Sequence, residues 1–391
     1  MSSSPVNDAD GGRVESTLPP YPAIGRRAAL KRALSAAGGV LLTSACSRGA
    51  RRVHPAPVPR TFAKVRVAAN RVIRSITGLR PFRPSGFVVR ADRADDRTIV
   101  HNYGHGGGGI TLSWGSSALA ADLATAVGPR RAAVIGCGVM GLTTARLLQD
   151  RGFDTTIYAK ELPPDTTSNV AGGQWSPYTV FDDEAATPAF RQQLERAARL
   201  SNRYFQNLVG DTYGVRWIEN YILRDSPPAQ QQPSPIRDLF FAAEVLPRDQ
   251  HPFAATYVSR FTTMLIEPPV FLPAITRDFL LRGGRIHVRE FHEQRDLFQL
   301  EEKVVINCAW LGARALFGDA ELTPIKGQLA ILLPQPDVDY IMIKGDYYMF
   351  PRRDGIVLGG THDRDEWRLD VDPAVTARIL ENHRAIFEQM R

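Results

Sequence analysis

A short apolar run, RAAVIG at 131–136, leads into the turn GCGVMG (136–141) and then into GLTTARLLQDRGF (141–153), where Leu142, Ala145 and Leu148 recur at helical spacing. DTTIYAK (154–160) follows as a second strand. A strand–turn–helix–strand unit of this kind is a crossover in a mainly parallel sheet, and it makes the chain α/β. Its glycines have separate tasks: Gly136 makes the turn, Gly138 lets a pyrophosphate approach the backbone, and Gly141 lets helix and strand pack closely. Val139 and Met140 place their amides at the same helix start. The turn alone does not choose between nicotinamide and flavin dinucleotides, nor does it exclude an ordinary loop.

Charge narrows the partner. The net charge of +7 points to nucleic acid until it is divided along the chain: residues 1–90 carry +13 and the remaining 301 carry −6. A basic leader on a mildly acidic body, with no basic stripe interleaved with aromatics, excludes nucleic-acid binding and favours targeting. Arg26 and Arg27 precede the apolar stretch ALSAAGGVLLTSA (33–45), which ends at Cys46, the order of a twin-arginine export signal over 1–46. TSAC (43–46) resembles a lipoprotein cleavage box, with Thr43 where leucine is usual. Export to the periplasm or cell envelope, with Cys46 as the lipid anchor to a membrane, is the expectation. Residues 47–63, rich in Arg and Pro, read as a tether. Three cysteines do not make a disulfide scaffold; Cys137 and Cys308 read as small buried residues, and no metal-ligand spacing exists, so no metal is expected.

The remaining elements are read more coarsely. Ser116–Val127 and 189–209 are expected helices, 224–235 a polar loop, 268–282 a helix, and 284–288 and 304–307 strands. KGQLAILL (326–333), DYYMF (346–350) and GIVLGG (355–360) alternate as strands of a second sheet, and the last helix opens on Asp372 and Pro373 with Val375, Ile379, Ile386 and Met390 on its apolar face.

Four motifs together carry a resemblance. GCGVMG, PPDTTSNVAGGQWSPY (163–178), TGLRPFRP (77–84) and HNYGHGGGG (101–109) are each similar to segments of the D-amino-acid oxidase family, in a different order: the piece that ends the family's chain stands here before the piece that begins it. The chain therefore resembles a circular permutation of that fold over about residues 64–391. This implies a Rossmann-type FAD-binding domain (85–180 and 256–320) and a mixed-sheet substrate domain (64–84, 181–255 and 321–391).

The cofactor implied is FAD. Besides Gly136, Gly138, Val139, Met140 and Gly141, its cradle would include Thr166, Thr167 and Ser168 near phosphate or ribose oxygens, and Gly172, Gly173 and Gln174 at the ring. Gly106, Gly108, Gly109, Ile110 and Thr111 would complete it, with Thr111 and the neighbouring amides answering negative charge on the ring. Lys160 stands where an acidic ribose contact is expected, with Glu161 next to it.

The activity implied is oxidation of a D-amino acid, with hydride passing from Cα to flavin N5, to an imino acid, and to hydrogen peroxide where O2 is the acceptor. Arg80 matches the family's carboxylate-binding arginine, for which a bidentate guanidinium suits better than an ammonium. Tyr348 matches a tyrosine that donates to the same carboxylate, and the Gly107 carbonyl matches the acceptor of the substrate amine. Arg83 reads as a surface arginine, Tyr347, Asn307 and Trp310 as packing, and His101 and His105 as structural. Lys344 is either an attractor of an acidic substrate side chain or an exposed lysine at a strand entrance. Two rival readings stay open: a related dehydrogenase acting on glycine, a secondary amine or a peptide with a membrane electron acceptor, and a flavin-binding sensor without turnover.

Overall fold

Val304–Asn307 is a four-residue strand with every residue buried, and it is paired on both sides. In this computed structural model, which describes residues 62–228 and 234–391, it is the middle of a six-stranded sheet. The order is Val88–Ala94, Arg97–Tyr103, Val304–Asn307, Arg131–Ile135, Asp154–Ala159 and Arg285–Val288. Only the first pair is antiparallel. Burial on both faces explains the continuous apolar runs AAVI and VVI. One face packs against the helices Gly109–Thr125, Val139–Asp150 and Pro268–Leu281 through Trp114, Leu142, Leu148, Phe271 and Phe279. The other packs Ile99, Ala133, Ile135 and Val305 against Leu297, Leu300 and Phe317.

The second sheet is antiparallel except for one pair. Its order is Val72–Phe82, Thr323–Leu332, Gly355–Gly359, Tyr347–Arg352, Tyr340–Lys344, Val215–Arg224, Tyr257–Ile266 and Phe241–Leu246, and Asp363–Arg364 also pairs with Thr323–Leu332. Tyr340–Lys344 and Val215–Arg224 run parallel. The helix Pro373–Glu388, capped by the Asp372 carboxylate on the Ala374 amide at 2.7 Å, lays Ile379, Leu380 and Phe387 on Met342, Met349, Ile356 and Leu358. The opposite face presents Ile218, Leu329, Ile341, Phe350 and Val357, against which Ile76, Val170 and Tyr348 pack.

Several sequence-based boundaries move. The strand Tyr257–Ile266 belongs to the second sheet, so the division placed at 256 falls after Ile266. The helix Pro188–Asn207, assigned to the substrate side, packs instead on Gly109–Thr125, so closely that a Cβ on Gly115 would lie 1.8 Å from the Ala197 carbonyl oxygen. Gly109–Thr125 also starts seven residues before the expected Ser116, because Ile110 to Gly115, with Leu112 and Trp114, are buried in the first two turns. Phe62 and Ala63 are no tether: Phe62 packs edge-on against Tyr221, Phe253 and Tyr340, and the Tyr340 hydroxyl donates to the Ala63 carbonyl at 2.9 Å. The export signal 1–46, Cys46 and the tether to residue 61 lie outside the described residues. No helix among the described residues is long and apolar enough to cross a membrane.

The interior holds neutral histidines. His105 is buried, stacks on Phe87 at 4.5 Å and bonds Ser116 Oγ at 2.9 Å, and burial pushes its imidazole down to about 3. His101 lies between Asn307, 3.0 Å from Nδ1, and Asp92, 3.1 Å from Nε2, and burial lowers it as well. His383 has Nδ1 2.8 Å from the Ile379 carbonyl and Nε2 3.1 Å from the Tyr348 carbonyl, of which the neutral ring donates to one, and burial lowers it again. Below the ordinary imidazole value of 6.5 the unfolded chain binds protons that the fold refuses, so stability is lost as pH falls from about 6.5 toward 3. The melting temperature is therefore expected to drop between pH 6.5 and 4.5, before carboxylates titrate. The drop should be shallower in His105→Gln, and an equal slope in the variant would refute the assignment.

Candidate active site

Arg80 and Tyr348 are 268 positions apart in sequence, yet Arg80 Nη2 donates to the Tyr348 hydroxyl at 3.3 Å. The strand Val72–Phe82 brings Arg80 opposite Ile325. Tyr348 stands opposite Gly359 on one side and Ile343 on the other. Its ring stacks on Phe350 at 4.9 Å, a contact that sequence reasoning missed although the two residues share a face at strand spacing. The other guanidinium nitrogen, Arg80 Nη1, is buried with no hydrogen-bond partner. A buried cationic donor left unpaired is costly, so this edge of the guanidinium is set up to receive an acceptor.

Gly107 lies beside this pair: a Cβ there would be 3.6 Å from Arg80 Cδ and 2.9 Å from the Tyr178 carbonyl. The Gly107 amide donates to the Thr179 carbonyl at 2.9 Å, while the residue itself is exposed. The four glycines 106–109 differ in what they permit. Gly106, at positive φ, and Gly108 are crowded by Thr179 and Val180, whereas a Cβ on Gly109 would meet open space. Ile110 is buried. Thr111 corrects its expected role: its hydroxyl is held by the Gln174 and Ser176 carbonyls at 3.2 and 3.0 Å and by the Ser176 amide at 3.0 Å. It ties the 163–178 loop to the helix Gly109–Thr125.

The phosphate turn has the geometry its glycines require. Gly136 sits at φ 106°, and a Cβ on Gly141 would lie 1.9 Å from the Gly136 carbonyl oxygen. Gly138 faces Ser168, whose hydroxyl accepts from the Val139 amide at 3.0 Å, so the helix N-terminus and the 163–178 loop meet there. Met140 begins the same helix, and its carbonyl accepts from Thr144 at 2.7 Å. Of the three hydroxyls expected nearby, only Ser168 bonds this turn: Thr166 bonds Asn169 at 3.0 Å, and Thr167 packs its methyl toward Gly78. Lys160 is half-exposed and pairs with Glu161 and Glu290 at 3.9 and 3.8 Å.

Gly172 and Gly173 are required by the protein itself. A Cβ on Gly172 would strike the Phe350 ring at 2.2 Å, and one on Gly173, at φ 94°, would lie 1.9 Å from the Ile266 carbonyl oxygen. The Gln174 side chain turns to Asn220 at 2.8 Å, a buried partner on a strand that the sequence reading did not anticipate.

Arg83 is no surface arginine. It bonds Asp319 at 2.8 Å and Glu321 at 2.6 Å with its side chain 13% exposed, and Tyr103 donates to the same Asp319 at 2.7 Å. This network fixes the strand end that carries Arg80. Asn307 holds His101, and Trp310 Nε1 donates to the Leu79 carbonyl at 3.0 Å. Cys137 and Cys308 are both buried, and burial pushes each thiol up to about 12. Tyr347 faces away from Tyr348 and packs edge-on against His383 at 5.6 Å.

Lys344 resolves by the same alternation. It stands opposite Tyr347, not Tyr348, and its ammonium pairs with Asp225 at 3.3 Å. It belongs to the far face of the sheet and does not reach the Arg80–Tyr348 pair. Lys344→Ala is expected to leave the ratio of turnover on acidic and neutral amino acids unchanged. A fall of tenfold in that ratio would restore the attractor role.

A family model described as DAO, FAD dependent oxidoreductase, matches residues 42–123 and 131–391. The chain is 30% identical over 268 residues to a D-amino-acid oxidase of Rubrobacter xylanophilus, covering 67% of this chain and 78% of that one. It is 29% identical over 260 residues to a D-aspartate oxidase of Homo sapiens, covering 64% and 74%. Among solved structures it is similar to glycine oxidase from Bacillus cereus ATCC 14579, with a TM-score of 0.50 at 19% identity over 66% of this chain and 78% of that one, a likeness of fold.

Proposed function

The chain belongs to the DAO family of FAD dependent oxidoreductases, and from that premise we propose that it oxidises a D-amino acid to the imino acid, with O2 as acceptor, as an exported protein. The residues present fit FAD: the turn Gly136–Gly141 at its helix start, with Ser168 held beside it, would take the pyrophosphate, and the open face at Gly109 leaves room beside Gly107. When bound, FAD supplies the two-electron acceptor. The substrate loses its Cα hydrogen with two electrons and one proton from its amine; dioxygen gains two electrons and two protons as hydrogen peroxide.

One observation carries the reading: of the two terminal nitrogens of the Arg80 guanidinium, Nη2 is on the Tyr348 hydroxyl and Nη1 is buried and unpaired. A carboxylate seated there takes a charge-assisted bond from Nη1 and a second from the tyrosine, which fixes the orientation of Cα. No side-chain base is needed at Cα, and His101, His105 and His383, bonded into the interior, offer none. The D-configuration is supported by the two D-amino-acid-specific relatives, and export by the order of Arg26, Arg27, apolar stretch and Cys46.

An anaerobic screen of D- and L-amino acids, read by loss of flavin absorbance, followed by oxygen uptake, tests the reading. D-amino acids should bleach the flavin, and bleaching by L-isomers alone would overturn it. Arg80→Ala is expected to lower kcat/KM by at least a hundredfold, the scale of about 3 kcal/mol for a lost charge pair, with Tyr348→Phe losing about tenfold.

We also propose that the chain order is a circular permutation. Support comes from the family match breaking into two segments on either side of 124–130, and from the two ends of the described chain lying together: the Lys64 ammonium donates to the Met390 carbonyl, and the Tyr340 hydroxyl touches both Ala63 and the Met390 sulfur. A chain rebuilt as 131–391 followed by 62–127 should fold, bind FAD and keep the substrate preference; failure of a well-expressed rebuilt chain to bind FAD would sink this.

A further inference from the structure

Two glycines on neighbouring strands lie directly under the Arg80–Tyr348 pair. A Cβ on Gly327 would come within 2.6 Å of Arg80 Nη1, 2.7 Å of Nη2 and 2.9 Å of Cζ. A Cβ on Gly359 would come within 2.1 Å of Tyr348 Cζ and 2.4 Å of its hydroxyl oxygen. In the strand register Arg80 is opposite Ile325 and Gly78 opposite Gly327, so the arginine reaches diagonally across to lie on the second residue along. Tyr348 folds over its own cross-strand partner, Gly359, which in turn pairs with Leu329, two residues beyond Gly327 on the same face. Neither glycine has positive φ, so backbone conformation does not account for them.

We propose that Gly327 and Gly359 are positioning residues: they form a floor without side chains that lets the guanidinium and the phenol sink to the level of the sheet, and so set the depth at which a substrate carboxylate is held. The inference rests on the reading of Arg80 as the carboxylate clamp. One methyl group at Gly327 raises the guanidinium into the space the carboxylate would take and moves Nη2 away from the tyrosine. The displaced atoms are the far end of a flexible side chain, so the fold accommodates the methyl where the clamp does not. A merely structural glycine would behave the other way, losing stability and leaving ligand affinity alone.

The FAD-loaded protein is compared with Gly327→Ala, Gly359→Ala, Arg80→Ala and the double variant Arg80→Ala/Gly327→Ala. Calorimetric titration with benzoate, a simple carboxylate probe, gives affinity; thermal unfolding gives stability; steady-state kinetics give kcat and KM separately. Gly327→Ala should weaken benzoate and raise KM at least tenfold, with kcat changed less than threefold and the melting temperature within about 2 °C. In the Arg80→Ala background the same methyl should change benzoate affinity less than twofold, since there is no guanidinium to lift. Unchanged benzoate affinity in Gly327→Ala, or an equal tenfold loss with and without Arg80, would overturn the floor. If Gly327→Ala fails to fold, Gly359→Ala decides by the same affinity and stability criteria. Unchanged benzoate affinity in Arg80→Ala itself would remove the clamp reading, and with it the inference. A large loss in Arg80→Ala beside none in either glycine variant would remove the floor alone.

Discussion

The ladder on both sides of Val304–Asn307 is the constraint on which the rest depends. Its neighbours are Arg97–Tyr103, which leads into the glycine run, and Arg131–Ile135, which leads into the phosphate turn. One buried four-residue strand thus holds the two cofactor-facing turns side by side, although they come from opposite sides of the 124–130 break in the family match. Gly136 confirms how tight the seam is, since a Cβ there would lie 2.4 Å from the Cys308 carbonyl just past that strand.

From that seam the substrate side is positioned by charge and by close packing. Arg83, Asp319, Glu321 and Tyr103 link the strand bearing Arg80 to the end of a strand of the central sheet. Partly buried pairs of this kind are screened little by salt and hold direction well. The helix Pro373–Glu388 backs the other face of the Tyr348 strand, where His383 bonds the Tyr348 carbonyl. Arg80 and Tyr348 are therefore braced independently before they meet.

Much of this was legible in the sequence, for physical reasons. Glycines at a phosphate turn are dictated by backbone approach, and an apolar run bounded by turns is dictated by burial, so the 131–160 unit could be read directly, whereas the pairing of Arg80 with Tyr348 came from the resemblance of their motifs to a known family. What could not be read is instructive. Val215–Arg224, Tyr257–Ile266 and Tyr340–Lys344 were missed or misassigned because the parallel pairing of the first with the third joins segments far apart in sequence, and because polar residues such as Glu219 and Asn220, which bond Tyr221 and Gln174, blur the alternation. Thr111, Gly172 and Gly173 show that hydroxyls and glycines serve protein packing as well as ligand approach, so residue type alone does not separate the two. Arg83 looked exposed because its carboxylate partners lie 236 and 238 residues away. Lys344 shows the opposite case: it lies an even number of residues before Tyr348, and only the hairpin register, which sets it opposite Tyr347, places it on the far face.

The connection between Thr125 and Arg131 has its own consequence. Gly128, Pro129 and Arg130 are exposed, a Cβ on Gly128 meets nothing, and the segment takes part in neither sheet. Apart from Gly128, whose φ of 108° favours glycine, sequence drift there meets little packing, while the glycine turns on each side are pinned to within a methyl group. A foreign domain or an affinity handle spliced at that joint would hang in solvent, leaving both halves of the yellow pocket undisturbed.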